Sequence, residues 1–89
     1  MPAIARLGDR VTHNYIQFGA ITMGATRTIV NGAPAARVGD LAMCPKHGPQ
    51  PIASGSAVVM VEGQPVARVG DTLACGAIIV GGATTVEAG

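Results

Sequence analysis

Three side chains with metal-binding chemistry stand at a fixed interval in this sequence. His13, Cys44 and Cys75 are each 31 residues from the next. Imidazole and thiolate are the usual donors to tetrahedral zinc, and a closed structural site needs four of them. A further donor, His47, follows Cys44 by three residues in the stretch CPKH. The residues 31 away from His47 on either side are Ile16 and Ile78, so one repeat alone carries this extra donor. A C-x-x-H spacing is a weak signal by itself, and its coincidence with the interval strengthens it. Each residue also has a plainer reading. His13 could be a turn histidine and His47 a solvated loop residue. The two cysteines could be small buried apolar groups or disulfide partners.

The interval belongs to a triplicated segment. AIARLGDRVTH spans 3–13, PAARVGDLAMC spans 34–44 and PVARVGDTLAC spans 65–75, so Arg6, Arg37 and Arg68 share one register. Gly8, Gly39 and Gly70 share another, as do Asp9, Asp40 and Asp71. A fixed period means that each repeat is one unit that cannot bury its apolar side alone. If three repeats close into a ring, equivalent positions meet around a pseudo-threefold axis. His13, Cys44 and Cys75 would then converge, and His47 would break the threefold to complete a tetrahedron. The repeated Arg-x-Gly-Asp reads as scaffold: each Asp accepts backbone N–H groups of its own turn, with the Arg paired nearby.

Short strands, not helices, must position these residues. Thirteen Gly and six Pro in 89 residues work against helix, since Gly costs about 1 kcal/mol and Pro about 3 kcal/mol inside one. The run 26–30 leads into Asn31-Gly32, and 58–61 leads into Glu62-Gly63, both hairpin turns by residue type. PAARV and PVARV should return as second strands, with Pro34 and Pro65 at a strand start or edge. The stretches after the donors read as connections: NYIQFGAITMG, the Pro/Gly-rich loop PKHGPQPIASG and the shorter GAIIVGGATTVEAG. Val86-Glu87 resembles an outgoing strand with no return, and Ala3 to Leu7 a return strand with nothing before it. Pairing one with the other closes the ring.

Composition sets the outer bounds. The chain reads as one domain, small enough to lean on a staple such as a metal. Hydrophobic residues make up 48%, with one Phe, one Tyr and no Trp, so the apolar mass is many small pieces. Charged residues are 12% against a usual value of about 25%, which suggests a face covered by something else. A net charge of +1 with no basic stripe gives nucleic-acid binding no support. The opening MPAIARLGDR lacks the apolar core of a secretory signal, and the uncharged stretch 72–86 is short for a membrane span. Synthesis in the cytoplasm follows as an expectation, with any exit by a route that needs no cleaved signal. Catalysis has little support, because a four-donor zinc has no open position and no carboxylate pair or Ser/His/Asp arrangement stands out.

PAAR at Pro34–Arg37, PVAR at Pro65–Arg68 and the Val-Gly-Asp that follows each resemble the PAAR-repeat proteins. The likeness covers the whole chain, 1–89, as a single domain with no fused effector. It implies an all-β, conical domain of three hairpin repeats with zinc close to its point, held here by His13, Cys44, His47 and Cys75. It further implies a base seated on a trimeric β-helical spike, the VgrG protein of type VI secretion systems and similar contractile injection devices. The implied role is to cap and sharpen that spike for piercing a target membrane and to help attach effector proteins, without small-molecule substrate or nucleic acid. Family zinc sets are commonly three His and one Cys, whereas Cys44 gives this chain two of each. A stand-alone structural zinc domain acting as an adaptor in another assembly is the second reading, and a small metallohydrolase a distant third.

Overall fold

The computed structural model describes residues 2–14 and 16–88. Each Arg-x-Gly-Asp folds into the same tight turn. The N–H of Asp9 donates to the Arg6 carbonyl at 3.0 Å, and Asp40–Arg37 and Asp71–Arg68 repeat the bond at 3.0 Å. The glycines sit at φ of 90°, 95° and 96°, the left-handed region that a type II turn demands of its third residue. The carboxylate then locks the turn. Arg6 N–H donates to Asp9 Oδ2 at 2.7 Å while its guanidinium donates to the same carboxylate at 3.1 Å. The other two repeats copy this network, so the charged triplets are scaffold, as their register implies.

These turns hold three strands around an axis. Arg6 bridges Ala35, Arg37 bridges Val66 and Arg68 bridges Ile4, all antiparallel, each repeat reaching the next until the third returns to the first. At the centre Ala36 N–H donates to Ala5, Ala67 to Ala36 and Ala5 to Ala67, each at 2.9 Å. All three alanines are fully buried. The ring closes between the two ends of the chain: Ala3 bridges Glu87, and Ile4 N–H donates to the Val86 carbonyl at 3.0 Å. That is the closure the sequence calls for.

The chain is all-β, and among the described residues there is no helix. Its strands are β1 (Arg10–Thr12), β2 (Phe18–Ala20), β3 (Ile29–Val30), β4 (Ala33–Pro34), β5 (Leu41–Cys44), β6 (Gly48–Pro51), β7 (Met60–Val61), β8 (Gln64–Pro65) and β9 (Ile78–Ile79). The expected hairpins β3–β4 and β7–β8 are present, turning through Asn31 (φ 47°) and Glu62 (φ 49°) with Gly32 and Gly63. Their return strands are shorter than the sequence suggests. Ala35 and Val66 still donate their N–H to Thr28 and Val59 of the same hairpin, at 2.9 and 3.0 Å, and from there the chain pairs with a neighbouring repeat, because the axis needs those backbone groups.

Two stretches read as connections are strands instead. β2 pairs with β1, and the Pro/Gly-rich loop after Cys44 supplies β6, which pairs with β5 through Leu41↔Pro51, Ala42↔Gln50, Met43↔Pro49 and Cys44↔Gly48. Prolines are tolerated here because they fall two apart, on positions whose backbone faces away from β5. The Pro51 carbonyl, turned outward, accepts Ala74 N–H at 2.9 Å. The third repeat lacks this hairpin. Ile52 stands eight positions after Cys44, but Ile79 stands only four after Cys75. The pairing Ile21↔Ala42, Ile52↔Leu73 and Ile79↔Val11 shows that Ile79 fills the place of Ile52. Ile78 therefore corresponds to Pro51, and the third repeat has no counterpart of His47.

The core is layered along the axis. One half packs Ile21, Ile52 and Ile79 with Val11, Ala42 and Leu73 against the alanine ring, and reaches Cys44. The other half packs Ile4, Ala35 and Val66 with Val30, Val61 and Ala88, next to the hairpin turns. The longest dimension is 29 Å against 22 Å across. At the turn end Glu62 accepts Arg27 N–H at 2.9 Å and the Thr26 and Thr28 hydroxyls at 3.2 and 3.1 Å, and Asn31 donates to the Thr85 hydroxyl at 2.9 Å. These bonds latch neighbouring repeats to each other.

Two outcomes test this architecture. Ala36→Val adds methyl groups where three backbones meet, and overpacking of this kind costs about 1–3 kcal/mol. Thermal melts should fall by about 4–8 °C per kcal/mol, while Ala53→Val, on the surface, should leave the midpoint nearly unchanged. The second concerns Asp71. Burial acts to raise its pKa, but the Arg68 guanidinium, the Arg68 N–H and the Ser54 hydroxyl outweigh it and hold it below 3.8. A depressed carboxylate stabilises the fold above its ordinary range, and that contribution is lost as pH falls through the folded value. The melting difference between wild type and Asp71→Asn should therefore be widest near neutral pH and shrink below about pH 4.

Candidate metal centre

At the end opposite the hairpin turns, the apolar layers give way to donors. Val11, Ala42 and Leu73 occupy equivalent places around the axis, so the residues two positions on, His13, Cys44 and Cys75, face one another. His47 joins them from the turn between β5 and β6. One donor atom from each of the four lies within 4.8 Å of the others. His13 Nε2 is 3.2 Å from His47 Nδ1, and Cys44 Sγ is 3.6 Å from the same Nδ1. The imidazole rings meet edge to face, with centroids 5.1 Å apart.

The donor set fits a tetrahedral metal. With metal–nitrogen bonds of about 2.0–2.1 Å and metal–sulfur bonds of about 2.3 Å, a tetrahedron puts nitrogen about 3.3 Å from nitrogen and about 3.6 Å from sulfur. The nitrogen–nitrogen and nitrogen–sulfur separations here are close to those values. His13 would bind through Nε2 and His47 through Nδ1, leaving the other nitrogen of each ring free. Burial is graded: Cys44 is enclosed, His13 and Cys75 are half-buried and His47 is exposed.

Electrostatics already favour a thiolate at Cys44. Burial acts to raise its pKa, but the Lys46 N–H, the His47 ring, the Cys75 thiol and the His47 N–H outweigh burial and bring it to about 6. Burial and the neighbouring Cys44 push the Cys75 thiol upward instead. The C-x-x-H spacing signalled His47 but not the amides of Lys46 and His47 that aim at the Cys44 sulfur. Nor did the sequence single out Gly19, whose missing side chain matters. A Cβ there would overlap the Met43 carbonyl oxygen, which lets the β1–β2 hairpin lie directly against β5 beside the donors.

One tetrahedral metal per chain is the expected content. Elemental analysis of wild type, Cys44→Ser, Cys75→Ser and His47→Ala should show close to full occupancy in the first and losses in the others. The thiolate changes should cost most, because a buried sulfur donor is lost. Metal affinity should also fall as the solution is acidified below about pH 6, since imidazole and thiolate must shed their protons to bind.

A family model described as PAAR motif matches residues 17–81, a span that holds Cys44, His47 and Cys75 and leaves His13 just outside. A comparison with curated proteins gives no match. The matched span covers most of the chain, and with it the second and third Arg-x-Gly-Asp turns, the two turned hairpins and three of the four clustered donors. This chain belongs to the PAAR-motif family.

Proposed function

We propose that the protein is a structural tip, one copy of which sits on the threefold axis of a trimeric VgrG-like β-helical spike, with zinc in the His13–Cys44–His47–Cys75 cluster. The observation that carries this reading is the cyclic pairing of one chain's three repeats, in a member of this family. A monomer with a pseudo-threefold backbone can meet three identical subunits with three similar edges. The family association supports a spike partner in general terms. The hairpin end supports the choice of docking face, since Ile29 and Met60 take equivalent places on β3 and β7 and stand 59% and 57% exposed. At the other end zinc would lock the three repeats where the apolar layers stop. A structural zinc can supply on the order of 10 kcal/mol of folding free energy.

The role is mechanical, not catalytic. The tip would cap and sharpen the spike, pierce a target membrane and help carry effector proteins that ride on it. Made in the cytoplasm, it would leave the cell on the contractile apparatus, without a cleaved signal. Co-expression with a trimeric β-helical spike protein tests the assignment. One chain per trimer should co-elute in size-exclusion chromatography with light scattering. An Ile29→Asp/Met60→Asp variant should lose the complex while keeping its metal and melting temperature. A variant that still binds, or a wild type that never does, would sink the spike-tip reading.

A further inference from the structure

Two of the four clustered donors are cysteines from different repeats. Cys44 ends β5, and Cys75 lies in the short turn that replaces a hairpin in the third repeat. Both are free thiols, and their sulfurs are within 4.8 Å of each other. A disulfide needs about 2.0 Å between sulfurs. The two segments are already tied together: Ala74 N–H donates to the Pro51 carbonyl on β6 at 2.9 Å, and β6 pairs with β5 as far as Cys44↔Gly48. Cys75 is partly exposed, so a small oxidant can reach its sulfur, while Cys44 is enclosed beside it.

We propose that Cys44 and Cys75 form a redox-sensitive closure, in which a peroxide converts the pair to an intramolecular disulfide and expels the bound metal. The Cys75 thiolate attacks one peroxide oxygen. The O–O bond breaks, the leaving hydroxide takes a proton from the buffer, and Cys75 becomes a sulfenic acid. The Cys44 thiolate then attacks the Cys75 sulfur, the S–S bond forms, and hydroxide leaves and is protonated. In all, two thiolates lose two electrons, peroxide gains them, and two protons yield two waters. A disulfide cannot serve as two thiolate donors, so His13 and His47 alone would be left to hold a metal. The four-donor site joins all three repeats, whereas the disulfide joins only the second and third and leaves the His13 side chain outside the link, with β1 still paired to β9. The inference rests on the four-donor reading and is independent of docking to a spike.

The test is a peroxide titration of the zinc-loaded protein with a chromogenic zinc chelator present, followed by thiol counting, non-reducing intact mass and peptide mapping. The expected result is zinc release in step with the loss of both thiols, on a monomer lighter by two hydrogens, with a Cys44–Cys75 peptide cross-link. Dithiothreitol and added zinc should restore the starting state. Metal-free wild type treated with oxidised glutathione should form the same cross-link. Cys75→Ser should form none, and Cys44→Ser should form none and gain oxygen at Cys75. Zinc retained after both thiols are consumed, intermolecular dimers, or sulfinic acid as the main wild-type product would overturn the inference and leave the four-donor reading standing. A wild type that takes up no zinc would overturn that reading, and the metal-expulsion half of this inference with it.

Discussion

The structure depends on a cycle of three hydrogen bonds at its centre. Ala5, Ala36 and Ala67 each give a backbone N–H to one neighbour and a carbonyl to the other, every bond 2.9 Å long. A buried backbone group must be paired, and no repeat can pair its own here. Each therefore requires both of the others, so a single repeat is not a stable unit. Three backbones that approach this closely leave room for a methyl group and little more, which is why small residues occupy the axis. The larger Ile21, Ile52 and Ile79 pack in the same core as this ring.

Much of this was legible because period and turn chemistry act locally. The 31-residue register identified three equivalent turns, and Asn31-Gly32 and Glu62-Gly63 adopt the left-handed conformations that their residue types allow. The ring closure through Ala3 and Glu87 followed from an outgoing strand without a return at one end and a return strand without an outgoing one at the other. Two features stayed hidden. GPQP in β6 has the composition of a loop, and only its partner β5 shows that its prolines fall where no N–H is needed. The four-residue shortening of the third repeat is masked because Ile78 and Ile79 are adjacent. Either could hold the register, and only the pairing of Ile79 with Val11 decides between them.

The same shortening bears on the candidate site. A strict threefold ring supplies three equivalent donors, and a tetrahedron needs four. Two repeats have a hairpin long enough to bring a side chain back over the axis. In the first of them the equivalent residue is Ile16, which is 80% exposed, and in the second it is His47. The third repeat replaces the hairpin with a turn at Gly76, and that position lies against the His13 ring, 3.8 Å from Cε1 to a Cβ built there. The fourth donor comes from the second repeat alone, and it breaks the threefold that the other three donors keep.

Donors and apolar layers follow one another along the axis. Hydrophobic stabilisation scales with the area removed from water, at about 25 cal/mol per Å². It fades where a layer has too few neighbours to enclose it. Beyond Val11, Ala42 and Leu73 no further buried apolar triad follows among the described residues, and the next inward-facing positions are His13, Cys44 and Cys75. A coordination bond does not depend on enclosed area. Four such bonds can hold three strands together where packing cannot, and they act between repeats, as the alanine cycle does. The two ends therefore differ: the hairpin end has its own apolar cluster and the latches of Asn31 and Glu62, and the donor end has four clustered side chains whose spacing fits a metal.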